Sequence, residues 1–173
     1  GSHLVDYYQA KGYTVCGCDI TENQHSQLIY YKADPLSDQW VTIFKEHQFD
    51  FCINAAGNGN VNYSVSHPLE DFNANTLETI KILEAIRTHN PGCRYLHISS
   101  AAVYGNPVSL PVAETAGCNP ISPYGWHKLM AEQVCREYSV LHRLRIAVVR
   151  PFSIYGPGLR KQLLWDTFQK FKN

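Results

Sequence analysis

Short apolar runs bounded by turn residues alternate along this chain with longer stretches whose apolar positions recur at three- and four-residue intervals. Residues 3–11 read as a helix that Gly12 stops. Residues 13–18 read as a buried strand ending at Asp19, and residues 28–31 as a short second strand. Asp38 is placed to cap a helix over 38–47, with Trp40, Val41, Phe44 and His47 inward. Residues 49–54 form the next strand, and Ala55, Ala56 and Gly57 turn out of it. A long helix over 69–89 carries Phe72, Leu77, Ile80, Leu83 and Ile86 on its apolar side, and Pro91-Gly92 breaks it. Residues 93–99 form a strand, and 105–122 a loop of the length expected for a functional one. A helix over 124–141, a strand over 144–149, a loop over 150–158 and a helix over 159–172 complete the pattern. Strand and helix alternate throughout, which predicts an α/β fold with a doubly wound parallel sheet of the Rossmann type.

Composition narrows the function classes. At 173 residues the chain has the length of one domain. Its hydrophobic share of 45%, charged share of 17% and zero formal charge describe an ordinary globule. Without a basic stripe or a long apolar run, neither nucleic-acid binding nor a membrane span is expected. The first six residues lack the charged and apolar regions of a signal peptide, which makes the cytoplasm the expected location. Six cysteines and eight histidines have no metal-ligand spacing, so buried reduced thiols and no metal site are expected.

Polar groups follow four of the predicted strands: Asp19, Asn54 to Gly57, Ser99-Ser100 and Arg150 to Ser153. In a doubly wound sheet ligands sit outside the C-terminal ends of the strands, so these positions outline one crevice. Tyr124 and Lys128, four apart on a predicted helix, share a face with Cβ atoms about 5–6 Å apart. A tyrosine ordinarily titrates near about 10, and serves as a base near neutral pH where a nearby positive charge favours the phenolate. Ser100 can share the same substrate hydroxyl or carbonyl. Such a trio is equipped to move a proton while a hydride moves elsewhere; the bland alternative is a solvated Tyr–Lys helix pair.

The ordered motifs SSAAVYG (99–105), SPYGWHK (122–128) and RPFSIYGPG (150–158) resemble the extended short-chain dehydrogenase/reductase family. Within it, they are similar to the NAD-dependent nucleotide-sugar epimerase/dehydratase branch, over essentially the whole chain. The resemblance implies that Tyr124 is the catalytic acid/base and that Lys128 holds the nicotinamide ribose and favours the tyrosine phenolate. It implies that Ser100 hydrogen-bonds the reacting oxygen. Asp19 resembles the acid that binds the adenosine ribose, which favours NAD over NADP because an acid there repels a 2′-phosphate. Asp34 resembles the adenine-binding aspartate, and Ala55, Ala56 and Gly57 the small segment lining the cofactor. Asn75 matches a helix asparagine near the cofactor, which can equally pin a loop. Pro151 falls where the family's backbone passes the nicotinamide, and Ser153 where many members have an asparagine near the substrate phosphate. Tyr104 is expected to pack, and Trp126 and His127 to shape the pocket or pack.

The family begins with a strand and a GxxGxxG turn for the pyrophosphate. Gly1, 18 residues before Asp19, fits the last glycine of that turn. The first strand and first two glycines are not among these residues. Gly-Ser-His is also what a cleaved purification tag leaves, and the register favours native sequence. The fold class expected is therefore a Rossmann-like sheet lacking its first strand and most of the glycine-rich turn, with an open edge where that central strand belongs and poor NAD binding by these residues alone. Residues 1–156 are expected to be the NAD-binding domain and 157–173 the start of a substrate lobe. The acidic pair that the sugar dehydratases carry after the catalytic serine is replaced by Ala101 and Ala102, which cannot transfer protons. The resemblance thus implies a nucleotide-sugar epimerase, with C4 as the expected carbon and NAD as cofactor. A one-way NAD(P)-dependent reductase or dehydrogenase and a non-catalytic member are the alternatives. It also implies a homodimer through the helices near 69–89 and 124–141.

Overall fold

The structure, a computed structural model, describes residues 1–22, 28–33, 37, 39–159 and 162–172. Helix α1 (Ser2–Ala10) starts on Gly1 and ends before Gly12, whose φ of 83° turns the chain away. Strand β1 (Cys16–Asp19) pairs in parallel with β2 (Ile29–Lys32), Cys16 opposite Ile29 and Asp19 opposite Lys32. Helix α2 (Gln39–Glu46) buries Ile43 and Phe44, and Trp40 packs against the core. The sequence pattern alone does not single out Ile43.

Strand β3 (Phe51–Asn54) pairs in parallel with β4 (Arg94–Ile98), which pairs in parallel with β5 (Arg145–Val149). The strands thus form two separate sheets, ordered β1-β2 and β3-β4-β5. Among the described residues no ladder joins β1 to β3, and an open edge follows where the resemblance puts a central strand.

The expected single helix over 69–89 is a composite. Helix α3 (Val61–Ser66), which hydrophobic spacing does not reveal, starts on Asn60, whose side chain accepts from Tyr63 N at 3.1 Å. Helix α4 (Pro68–Phe72) leads into a wide π turn (Asn73–Leu77) and then α5 (Glu78–His89). The extra residue of a π turn rotates the inward face. The buried positions become Asp71, Asn75 and Thr76 before α5 and Thr79 in its first turn, while Leu77 is 36% exposed instead of inward.

Helix α6 (Pro123–His142) follows the long loop, and α7 (Gln162–Lys172) ends the described chain. The core joins Phe44 of α2, Ile82, Leu83 and Ile86 of α5, Tyr95 of β4, and Cys135 and Tyr138 of α6. These helices pack together against the β3-β4-β5 sheet. Residues two apart on a strand share a face, so Cys16 and Cys18 point to the same side. All six cysteines are unbridged. Among the described residues no helix is long and apolar enough to cross a membrane, and no group of three His, Cys, Asp or Glu side chains is placed to hold a metal.

Candidate active site

Ser100 leaves β4 as the cap of a tight turn (Ala101–Tyr104), its Oγ accepting from Ala102 N at 3.2 Å. Helix α6 starts on Ser122, whose Oγ accepts from Gly125 N at 3.1 Å, and Pro123 occupies the first helical position where no N–H is needed. These two starts touch. A Cβ at Gly125 would lie 2.7 Å from Ala102 O and 3.0 Å from Pro120 Cβ, so glycine permits the first turn of α6 to seat on the turn that Ser100 caps. Elements carrying Ser100 and Tyr124 are thereby in contact, although the residues are 24 apart in sequence.

Tyr124 is 9% exposed, and its backbone N–H donates to Ser64 Oγ at 3.1 Å. Ser64 is fully buried and donates in turn to Val61 O at 2.6 Å. It satisfies one of the orphan N–H groups at the start of α6. Asn60 as the cap of α3 and Pro68 as the first residue of α4 are the sequence signals that could have found the break between these short helices.

Lys128 is 5% exposed and donates from Nζ to Ile98 O at 3.1 Å. Burial pushes its pKa down to about 8, against the pull of Asp71, Cys135 and Glu132. Gly57, at φ 119°, follows β3 at the same place. A Cβ there would lie 3.4 Å from Lys128 Nζ and would overlap Asn75 Oδ1. Asn75 donates through Nδ2 to Asn58 O at 3.3 Å and to Asp71 O at 3.0 Å, pinning the loop that carries Gly57. Its Oδ1 is buried without a hydrogen-bond partner. Asn54 shapes the same loop by accepting from Ala56 N at 3.1 Å, and Ala55 and Ala56 are exposed.

The remaining expected positions lie around this centre. Asp19 is exposed at the end of β1, and its Oδ1 accepts from Thr21 N at 3.3 Å. Gly1 caps α1 with its carbonyl, which accepts from Leu4 N at 3.0 Å. The first turn of α1 meets the loop after β5, where His3 Nε2 donates to Pro157 O at 2.9 Å. Pro151 O accepts from Ala101 N at 3.0 Å, joining the β5 end to the turn capped by Ser100. Ser153 is exposed. Asp34 lies outside the described residues.

A buried ionic network behind Ser100 went unassigned in the motif pattern. Ser99 Oγ donates to Glu132 Oε1 at 2.5 Å. Arg150 clasps the same carboxylate, Nε to Oε1 at 2.9 Å and a terminal nitrogen to Oε2 at 2.6 Å. Its other terminal nitrogen donates to Tyr104 Oη at 2.9 Å. The hydrogen bond to Glu132 raises the Arg150 pKa. These contacts tie the ends of β4 and β5 to α6, and they use Tyr104 for packing and positioning. Glu132 stands one turn after Lys128, a spacing that could have marked it.

The serine motif, the Tyr–Lys helix and the glycine-bearing strand end are thus assembled at one end of a parallel sheet. A sequence-family model described as the NAD dependent epimerase/dehydratase family matches residues 1–168. The chain belongs to the NAD-dependent epimerase/dehydratase family. Its relatives include UDP-glucose 4-epimerase 4 of Oryza sativa subsp. japonica, 41% identical over 174 residues, covering 90% of this chain and 47% of that protein. GDP-6-deoxy-D-mannose reductase of Pseudomonas aeruginosa is 32% identical over 129 residues, covering 73% of this chain and 41% of that protein. The crystal structure of UDP-glucose 4-epimerase from Brucella ovis in complex with NAD superposes with a TM-score of 0.81. Identity there is 29%, over 88% of this chain and 48% of that one. The chain spans about half the length of the curated epimerase relatives it matches. Family membership and the doubly wound architecture expected from the element order agree.

Proposed function

We propose that the polypeptide carrying this chain is an NAD-dependent nucleotide-sugar epimerase acting at C4. The observation that carries this reading is the contact of Gly125 with Ala102, which draws the Ser100 turn and the Tyr124–Lys128 helix together at the strand ends. Relatives named UDP-glucose 4-epimerase support the same reaction class.

The residues present fit the ribose and nicotinamide portion of NAD. Gly57 lets the backbone pass Asn75 Oδ1 and Lys128 Nζ more closely than a side chain would allow, and Asn75 Oδ1 is a buried acceptor without a partner. Lys128, Tyr124, Asn75, Ala55, Ala56, Gly57 and Pro151 hold this portion, while Asp19, Gly1 and Asp34 serve the adenosine and pyrophosphate portion. When bound, the cofactor supplies the acceptor and donor for the electron pair that leaves and returns to C4.

Tyr124 takes the proton of the C4 hydroxyl and later returns it. Ser100 donates to the same oxygen as it changes between hydroxyl and carbonyl, and Ser153 contacts the sugar nucleotide. Lys128 supports the phenolate through its positive charge. Ala101 and Ala102 offer no group for water elimination, which sets dehydration aside. Residues 1–156 form the cofactor-binding unit and 157–173 open the substrate lobe. A cytoplasmic homodimer is part of the proposal, supported by the exposed Met130, Val140 and Leu141 on α6.

The test is interconversion of UDP-glucose and UDP-galactose by the full-length protein. Tyr124→Phe is expected to abolish turnover with the fold intact, and unchanged turnover would refute the mechanism. The similarity to a reductase favours a second reading, a one-way reduction of a keto sugar. Net change in nicotinamide absorbance with substrate separates it from epimerisation.

A further inference from the structure

Pro123 is the first residue of α6 and has no N–H, so the amide of Tyr124 is the first donor that this helix must place. The next two donors are met from the helix start itself. Ser122 Oγ accepts from Gly125 N at 3.1 Å, and Ser122 O accepts from Trp126 N at 3.0 Å. Ser122 thus caps α6 without outside help. The amide of Tyr124 is met differently, by Ser64 Oγ at 3.1 Å, sixty residues earlier in the chain and on α3.

Ser64 has no solvent exposure, and the sense of its two bonds is fixed. A hydroxyl carries one proton, and Ser64 donates it to Val61 O at 2.6 Å. The lone pairs on its oxygen are left to accept from Tyr124. Alanine at position 64 would leave the Tyr124 N–H buried without an acceptor, and such a group costs enough to pull the backbone toward another partner.

Helix α3 is in turn fastened to the loop that leaves β3. Asn60 caps it by accepting from Tyr63 N at 3.1 Å, and Asn60 O accepts from Ser64 N at 3.1 Å. Asn60 N donates to Asn58 Oδ1 at 3.0 Å, and Asn58 O accepts from Asn75 Nδ2 at 3.3 Å. Ser64 is therefore anchored through the loop that follows Gly57 to the π turn. The first turn of α6 also rests on Ala102 O, which a Cβ at Gly125 would meet at 2.7 Å. Two elements distant in sequence locate the Tyr124 backbone: the turn capped by Ser100, through Gly125, and α3, through Ser64.

We propose that Ser64 is a positioning residue for Tyr124, its hydroxyl holding the tyrosine amide so that the phenol meets the same substrate oxygen as Ser100. The proposal rests on the reading of Tyr124 as the acid/base. Its test is Ser64→Ala in the full-length protein, with UDP-galactose as substrate and amide hydrogen exchange read by NMR. With the circular dichroism spectrum unchanged, kcat should fall about tenfold, less than the roughly hundredfold that a 1 Å misplacement costs. The sugar KM should stay within about twofold, since the aim of the phenol matters to proton transfer and not to the grip on the sugar. The Tyr124 amide should exchange several-fold faster, while the amide of Ser99, bonded to Val149 O at 2.8 Å, keeps its rate. An unchanged kcat, or a KM that rises as much as kcat falls, would overturn the proposal. Equal acceleration at both amides would overturn it too, leaving Ser64 a contributor to stability alone. If Ser64→Ala does not fold, Ser64→Cys decides, because sulfur fills the site and is a weaker acceptor: kcat must fall several-fold, and a rate equal to that of the unmodified protein refutes the positioning role. The exchange rates need no turnover and judge the hold on Tyr124, whereas the activity of the unmodified protein judges the proposed function.

Discussion

Lys128 should make the folded protein more stable, relative to a variant without it, as the solution becomes alkaline. The perturbation is Lys128→Met, which keeps the side-chain length and removes the charge. Burial depresses the lysine from 10.5 to about 8 in the folded state. Below about 8 both folded and unfolded states carry the ammonium, and the full penalty of burying it is present. Between about 8 and 10.5 the folded state has released the proton and the unfolded state has not, so unfolding takes up a proton. Stability therefore rises with pH across that window and levels off above it. At about 1.36 kcal/mol per unit, a gap of roughly 2.5 units corresponds to about 3 kcal/mol. With Lys128 only 5% exposed, solvent screening takes little from that figure.

The assay is urea denaturation of both proteins at pH about 7 and about 10, compared as a difference. The buried thiols have raised pKa values and contribute the opposite slope, lost stability as the pH rises beyond their unfolded value of 9.0. That slope is largely common to both proteins and drops out of the comparison. Lys128→Met should be the more stable protein near neutrality, less the loss of one bond to Ile98 O, and should lose that advantage by roughly 2 kcal/mol at pH about 10. A difference that is flat with pH would refute the claim that Lys128 is charged and buried at the cost of stability.

Gly125→Ala should destabilise by about 1–3 kcal/mol, because the new methyl meets the rigid Ala102 carbonyl at 2.7 Å. It should lower kcat more than it raises KM, since it separates the Ser100 turn from Tyr124; thermal melts with steady-state kinetics check both. Arg150→Met leaves the Glu132 carboxylate buried and without its bidentate partner, an expected loss of about 3–5 kcal/mol. Adding Glu132→Gln should recover part of that loss, and a double-mutant cycle with additive effects would show that the two side chains are not coupled.

Much of the architecture was legible in one dimension. The strand-and-helix alternation predicts the parallel pairing, and all five strands and helices α1, α2, α6 and α7 fall within a few residues of their expected places. Asp19, Gly57, Ser100, Tyr124 and Lys128 stand where the motifs and strand ends suggested. The composite helix was not legible, because an extra residue in a π turn leaves the apolar spacing nearly helical while rotating which side chains face inward. Asp71, Asn75 and Thr76 turned out buried where the pattern favoured Leu77. Ser64 and Glu132 were hidden for a different reason, since each acts through a residue more than thirty positions away.

What these residues determine by themselves is the class of fold, the family and the identity of the Ser100, Tyr124 and Lys128 side chains, all of which follow from local spacing and ordered motifs. What only the tertiary structure decides is the π turn that rotates the inward face after α4, the seating of Gly125 on Ala102 and the burial of Lys128. Spacing along a chain reports which face of an element is apolar. Desolvation and hydrogen bonding depend on what distant elements bring to that face, and here they bury the lysine and bond its ammonium to Ile98 O.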